Sequence, residues 1–89
     1  MDAEWKEAIR ELNPEALSMD GFDSALIGIA ERCGQPALLV YDRDLCIEAL
    51  VKDGMTEEEA VEYFEFNCAG AWVGEHTPLI MTRFKNPVL

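Results

Sequence analysis

Eighty-nine residues with a formal charge of −11 allow one modest core and exclude a core that also encloses a deep active site. Eighteen acidic side chains against seven Lys and Arg oppose direct binding to nucleic acid, whose phosphates need basic partners, and favour either a solvated acidic surface that keeps the protein soluble or attraction to a basic protein surface. No apolar run approaches bilayer length, and the charged start MDAEWKEAIRE lacks a secretory signal's basic and apolar regions, so a cytoplasmic protein without a membrane role is predicted. Three cysteines without paired spacing predict reduced thiols.

In chain order, Trp5, Ala8, Ile9 and Leu12 fall at helical spacing and predict an amphipathic helix over residues 2–13, capped by Asp2 and ended by Pro14. The runs ALIGIAER and PALLVYD around CGQ then predict a β-hairpin, with strands at 24–32 and 36–41. Gly28 leaves a gap on one face that a ring or helix could fill. A helix from Asp23 to Arg32 competes, since Phe22, Ala25, Leu26 and Ile29 also fit its period. Asp42 or Asp44 can cap the next helix, 43–53, whose Leu45, Cys46, Ala49 and Leu50 form an apolar face and which stops at Asp53-Gly54.

The stretch TEEEAVEYFEFNCAG predicts a third helix over 56–70. Thr56 and Glu59 have capping-box spacing, and Glu57, Glu58 and Glu59 suit the partial positive charge of a first turn. Ala60, Val61, Phe64 and Cys68 form its buried stripe, widened by Tyr63, while Glu58, Glu62 and Glu65 line the opposite side. A turn-rich passage around Trp72 leads to a last strand, 78–84, and a loose tail. Together these elements predict a single α+β domain, a small antiparallel sheet of about three strands with the three helices packed against it.

No residue set specifies catalysis, a cofactor or a metal. His76 with Cys68 or Cys33 is a weak pairing without an orienting third group, and Cys33, Cys46, Cys68 and His76 lack the close pairs of a zinc site. Asp42 and Asp44 are explained by helix capping. What stands out is the acid: Glu58, Glu62 and Glu65 form a row on one helix that Glu57 extends, Glu4, Glu7 and Glu11 form a second, and Asp44 and Glu48 a third. Each row taken singly is accounted for by a solvated helix face; such a row can also occupy a basic groove that otherwise takes DNA, with Tyr63 and Trp72 as aromatic anchors. The expected partner-binding residues are therefore Glu57, Glu58, Glu62, Glu65, Tyr63 and Trp72. The alternative is an assembly module, a homodimer joined through an apolar patch.

The segments GIAERCGQPALLVYD, GMTEEEAVEYFEFN and AGAWVGEHTPLIM resemble a group of small acidic proteins encoded by bacteriophages and prophages. The resemblance carries no site residues. It implies a setting in which small acidic proteins inhibit host factors, anti-CRISPR proteins and DNA mimics among them, and so a non-enzymatic inhibitor.

Overall fold

The structure, a computed structural model, describes residues 4–84, so the Asp2 cap and the tail at 85–89 lie outside the described residues. The chain forms helix α1 (Glu4–Leu12), strand β1 (Leu26–Ala30), strand β2 (Leu38–Asp42), helix α2 (Arg43–Lys52), helix α3 (Glu57–Phe64) and strand β3 (Leu79–Met81). The architecture is the α+β class that the alternating periods predict.

The strand wins over the helix at 23–32. A short 3-10 turn, Asp23–Ala25, feeds β1, which pairs antiparallel with β2 from Leu26↔Tyr41 to Ala30↔Leu38. At the tip the Gln35 N–H donates to the Arg32 carbonyl at 2.9 Å, and Gly34 takes φ 79°, the left-handed value that the third position of a type II turn demands. The register shifts between Leu26 and Gly28, so Ile27 is an extra residue in a β-bulge. The gap at Gly28 is not filled as expected, because nothing lies within 4 Å of where its Cβ would stand.

The sheet order is β1-β2-β3, and β3 runs parallel to β2, which makes the sheet mixed rather than wholly antiparallel. A parallel neighbour needs a crossover of a dozen or more residues, and α2, α3 and the loop after them supply it. The third strand is also shorter than 78–84.

Leu39 and Tyr41 point from β2 into a core with Leu26, Cys46, Leu50, Ala60 and Phe64. Phe22 meets Phe64 edge-on at 6.4 Å between centroids. Burial pushes the Cys46 thiol up to about 12, which keeps it a neutral apolar group at physiological pH. Ala60 and Phe64 are the buried line of α3, whereas Val61 and Tyr63 flank it at 37% and 43% exposure, so the buried stripe is narrower than the spacing predicts.

Buried polar side chains pin the elements together. Asp42 caps α2, its Oδ1 accepting from the Asp44 and Leu45 N–H groups at 2.9 and 3.3 Å, while its Oδ2 accepts from Arg83 beyond β3. Burial alone would raise this carboxyl's pKa, but Arg83 and the two amides outweigh it and hold the pKa below its ordinary value. Asn13 donates to the Ala37 carbonyl at 2.8 Å and to His76 Nδ1 at 3.0 Å, and accepts from the Glu15 N–H at 3.1 Å. The Tyr41 hydroxyl accepts from the Met19 N–H at 2.9 Å. No buried side-chain nitrogen or oxygen among the described residues lacks a partner.

Candidate partner-binding surface

Helix α3 starts where local chemistry places it. The Thr56 N–H donates to Glu59 Oε1 at 2.9 Å, and the Glu59 N–H donates to Thr56 Oγ1 at 3.2 Å, closing the capping box. The bond from the Thr56 amide, with a smaller contribution from the Thr56 side chain, holds the Glu59 carboxyl below its ordinary pKa. Just before it, Gly54 and Met55 N–H groups donate to the Val51 and Leu50 carbonyls at 3.0 and 3.3 Å, the Schellman pattern that ends α2. The two helices therefore turn tightly and lie side by side.

Three acidic side chains of α3, Glu57, Glu58 and Glu62, are exposed and form no ion pair among the described residues. Glu65 departs from the predicted row. Its carboxylate pairs with Arg43 at the start of α2, and the Arg43 guanidinium also lies 5.4 Å from the centre of the Phe64 ring. Glu65 is thereby partly neutralised and serves to tie α3 to α2.

The rotation of the two helices brings one acid of the α3 row, Glu57, to the α2 row, while Glu58 and Glu62 do not line the cleft between the helices. Asp44 and Glu48 of α2 and Glu57 of α3 border one cleft of about 630 Å³, whose remaining lining is Ile47, Val51, Val61 and Lys52. Positions 44, 47, 48, 51 and 52 are one face of α2, and 57 and 61 are one face of α3. The row Glu4, Glu7 and Glu11 is also exposed but belongs to α1.

The aromatic candidates lie elsewhere on the surface. Successive residues turn by about 100° in an α-helix, which puts Tyr63 on the side of the Ala60–Phe64 line opposite Val61, away from the cleft. Beyond Phe64 the backbone widens into a π-helical turn, Glu65–Ala69, closed by the Gly70 N–H donating to the Glu65 carbonyl at 3.2 Å. A Cβ at position 70 would sit 3.0 Å from that same carbonyl oxygen, so the turn closes best on glycine. Trp72 follows at 73% exposure. Phe66, at 78% exposure, and Val73 join it as exposed apolar groups that periodicity did not single out. The available signal was that Phe66 falls outside the Ala60–Phe64 stripe.

The catalytic and metal candidates of the sequence are His76 and the three cysteines. His76 accepts from Asn13 at Nδ1, which leaves its proton on Nε2, 3.5 Å from Glu15. Its backbone carbonyl also accepts from the Leu17 N–H, so residue 76 links its loop to the α1–β1 connection. Cys33 is exposed on the hairpin, Cys46 is buried and Cys68 is half-buried. Among the described residues no three His, Cys, Asp or Glu side chains gather as metal ligands, and no helix is long and apolar enough to cross a membrane. Comparison of the chain with protein-family models, with curated proteins and with solved structures found no match.

Proposed function

We propose that this protein works without catalysing a reaction, by binding another protein through its acidic α3 surface. In the phage setting that the resemblance implies, the partner is a host factor with a basic surface, such as a nuclease or other nucleic-acid-binding protein, which the acidic row blocks in the cytoplasm. The observation that carries this reading is that Glu57, Glu58 and Glu62 stand exposed without an ion pair among the described residues, with Glu57 beside Asp44 and Glu48 of α2. Unpaired charge of one sign raises the rate at which an oppositely charged surface finds it, and exposed Tyr63 and Trp72 supply area for tight contact.

The test is retention of a protein captured from host lysate, compared between the natural chain and the double variant Glu58→Gln, Glu62→Gln from about 50 to about 500 mM salt. The variant should hold the captured protein more weakly at low salt, with a flatter salt dependence. Equal retention by both at every salt concentration overturns the reading.

A further inference from the structure

We infer that the cleft between α2 and α3 is a docking groove for a basic amphipathic helix of the partner, a statement that rests on the binding function proposed above and names the shape of what is bound. The floor of the cleft is aliphatic, made by Ile47 and Val51 of α2 and Val61 of α3, with Val51 and Val61 at 40% and 37% exposure. Its rim carries three carboxylates, Asp44, Glu48 and Glu57, and the ammonium of Lys52, while Arg83, bonded to Asp42, also borders Asp44 and Glu48. None of these four rim groups makes an ion pair among the described residues. An apolar stripe edged by unpaired acid is the complement of a helix with an apolar stripe edged by Lys and Arg.

Dimensions and composition separate this occupant from others. Helix α2 has ten residues, and at about 1.5 Å per residue the groove wall runs about 15 Å, the length of a partner helix of about three turns. A small polar ligand would need convergent buried donors or acceptors, and no unpartnered buried polar side-chain atom exists among the described residues to face one. A second copy would bring its own charge of −11 to a rim that is already acidic, and like-charge juxtaposition opposes that pairing. A free DNA or RNA strand is opposed for the same reason.

The test uses the full chain, isotope-labelled, titrated with two synthetic peptides of identical Lys and Leu composition. One places Leu at i, i+3, i+4 and i+7 along a helix, and the other scrambles that order. The inference expects the patterned peptide to bind at least about tenfold more tightly, with amide shifts concentrated in α2 and α3. Val51→Asp with Val61→Asp, both at exposed positions, should weaken it by at least about tenfold while the circular dichroism spectrum and melting curve are retained. Equal binding of the two peptides, shifts confined to the Phe66–Val73 region, or no binding of either overturns the groove. So does concentration-dependent dimerisation of the peptide-free chain that the aspartates abolish. The lysate-captured protein separates this inference from the reading beneath it. If Glu58→Gln with Glu62→Gln releases that protein but Val51→Asp with Val61→Asp does not, the groove falls and the acidic surface stands. If neither variant releases it, both fall.

Discussion

The molecule handles its carboxylates in two opposite ways. At the β2–α2 junction Asp42 is fully buried, and both of its oxygens accept hydrogen bonds, Oδ1 from two amides and Oδ2 from Arg83. On α3, Glu57, Glu58 and Glu62 face solvent with no cation against them among the described residues. The first arrangement stabilises the native state, because the interactions exist only when strand, helix and the segment after β3 meet. The second adds almost nothing to folding, since the same carboxylates are as well hydrated in the unfolded chain, and it leaves their charge available to another molecule. The contrast teaches that acidity as such says little here, and that pairing decides whether a carboxylate belongs to the fold or to an encounter.

The strongest test of that contrast is Asp42. Asp42→Ala removes the cap of α2 and leaves two amides and Arg83 without their acceptor, a loss of about 3 kcal/mol, or about 15 °C in melting temperature for a domain of this size. Asp42→Asn keeps a side-chain oxygen for the cap and loses the charge opposite Arg83, so its loss is smaller. The two variants also fix the sign of the pH dependence. The folded Asp42 pKa lies below the ordinary 3.8, so the unfolded chain binds the proton more readily as the pH falls. The stabilisation from this charge is fully present above the ordinary value and is lost as pH falls through the folded one. The gap in melting temperature between the natural chain and Asp42→Asn should therefore stay constant from about pH 7 to 5 and close below about pH 4. A gap that persists unchanged in acid would show that charge plays no part.

The two sides of the contrast were unequally legible in the sequence. The Thr56 cap could be read and the α2 cap narrowed to Asp42 or Asp44, because a cap is made by residues two or three positions from the amides it serves. The α+β class was legible from the change of period between the helical and hairpin segments. The direction of β3 was not, since parallel pairing with β2 depends on how the helix pair crosses back over the sheet. Nor was the neutralisation of Glu65. Its partner Arg43 is twenty-two positions away, and both belong to polar faces whose relative rotation no single-helix pattern sets. The same rotation brings Glu57 beside Asp44 and Glu48 in one cleft, a meeting that separate helical wheels do not contain. The bulge at Ile27 broke the two-residue period of β1 and hid which of its faces would be covered.

An intermediate case sharpens the line between the two kinds of carboxylate. Glu59 is exposed like its neighbours, yet it is bonded to the Thr56 amide while the Thr56 hydroxyl accepts from its own. Thr56→Ala removes the hydroxyl half of this box and should cost about 1 kcal/mol, about 4 to 8 °C in melting temperature. Thermal denaturation followed by circular dichroism reads this directly. Thr56→Ser, which retains an oxygen in the same place, should recover most of the loss. Failure of serine to do so would assign the effect to the threonine methyl rather than to the cap.

The smallest effect on folding is expected where the largest effect on binding is proposed. In Glu58→Gln with Glu62→Gln, two opposing contributions nearly cancel. Glu58 sits in the first turn, where its charge is favoured by the unpaired amides, but it also repels Glu62 four residues on. The melting temperature should stay within about 2 °C of the natural chain's, and the remaining difference should shrink further as salt screens both terms. If instead these substitutions lower the melting temperature as far as Asp42→Ala does, the α3 carboxylates are part of the fold. Any accompanying loss of partner retention would then report unfolding rather than a removed contact. A near-neutral melting temperature makes the capture experiment interpretable, because charge can then be changed on this face without altering the surface that carries it.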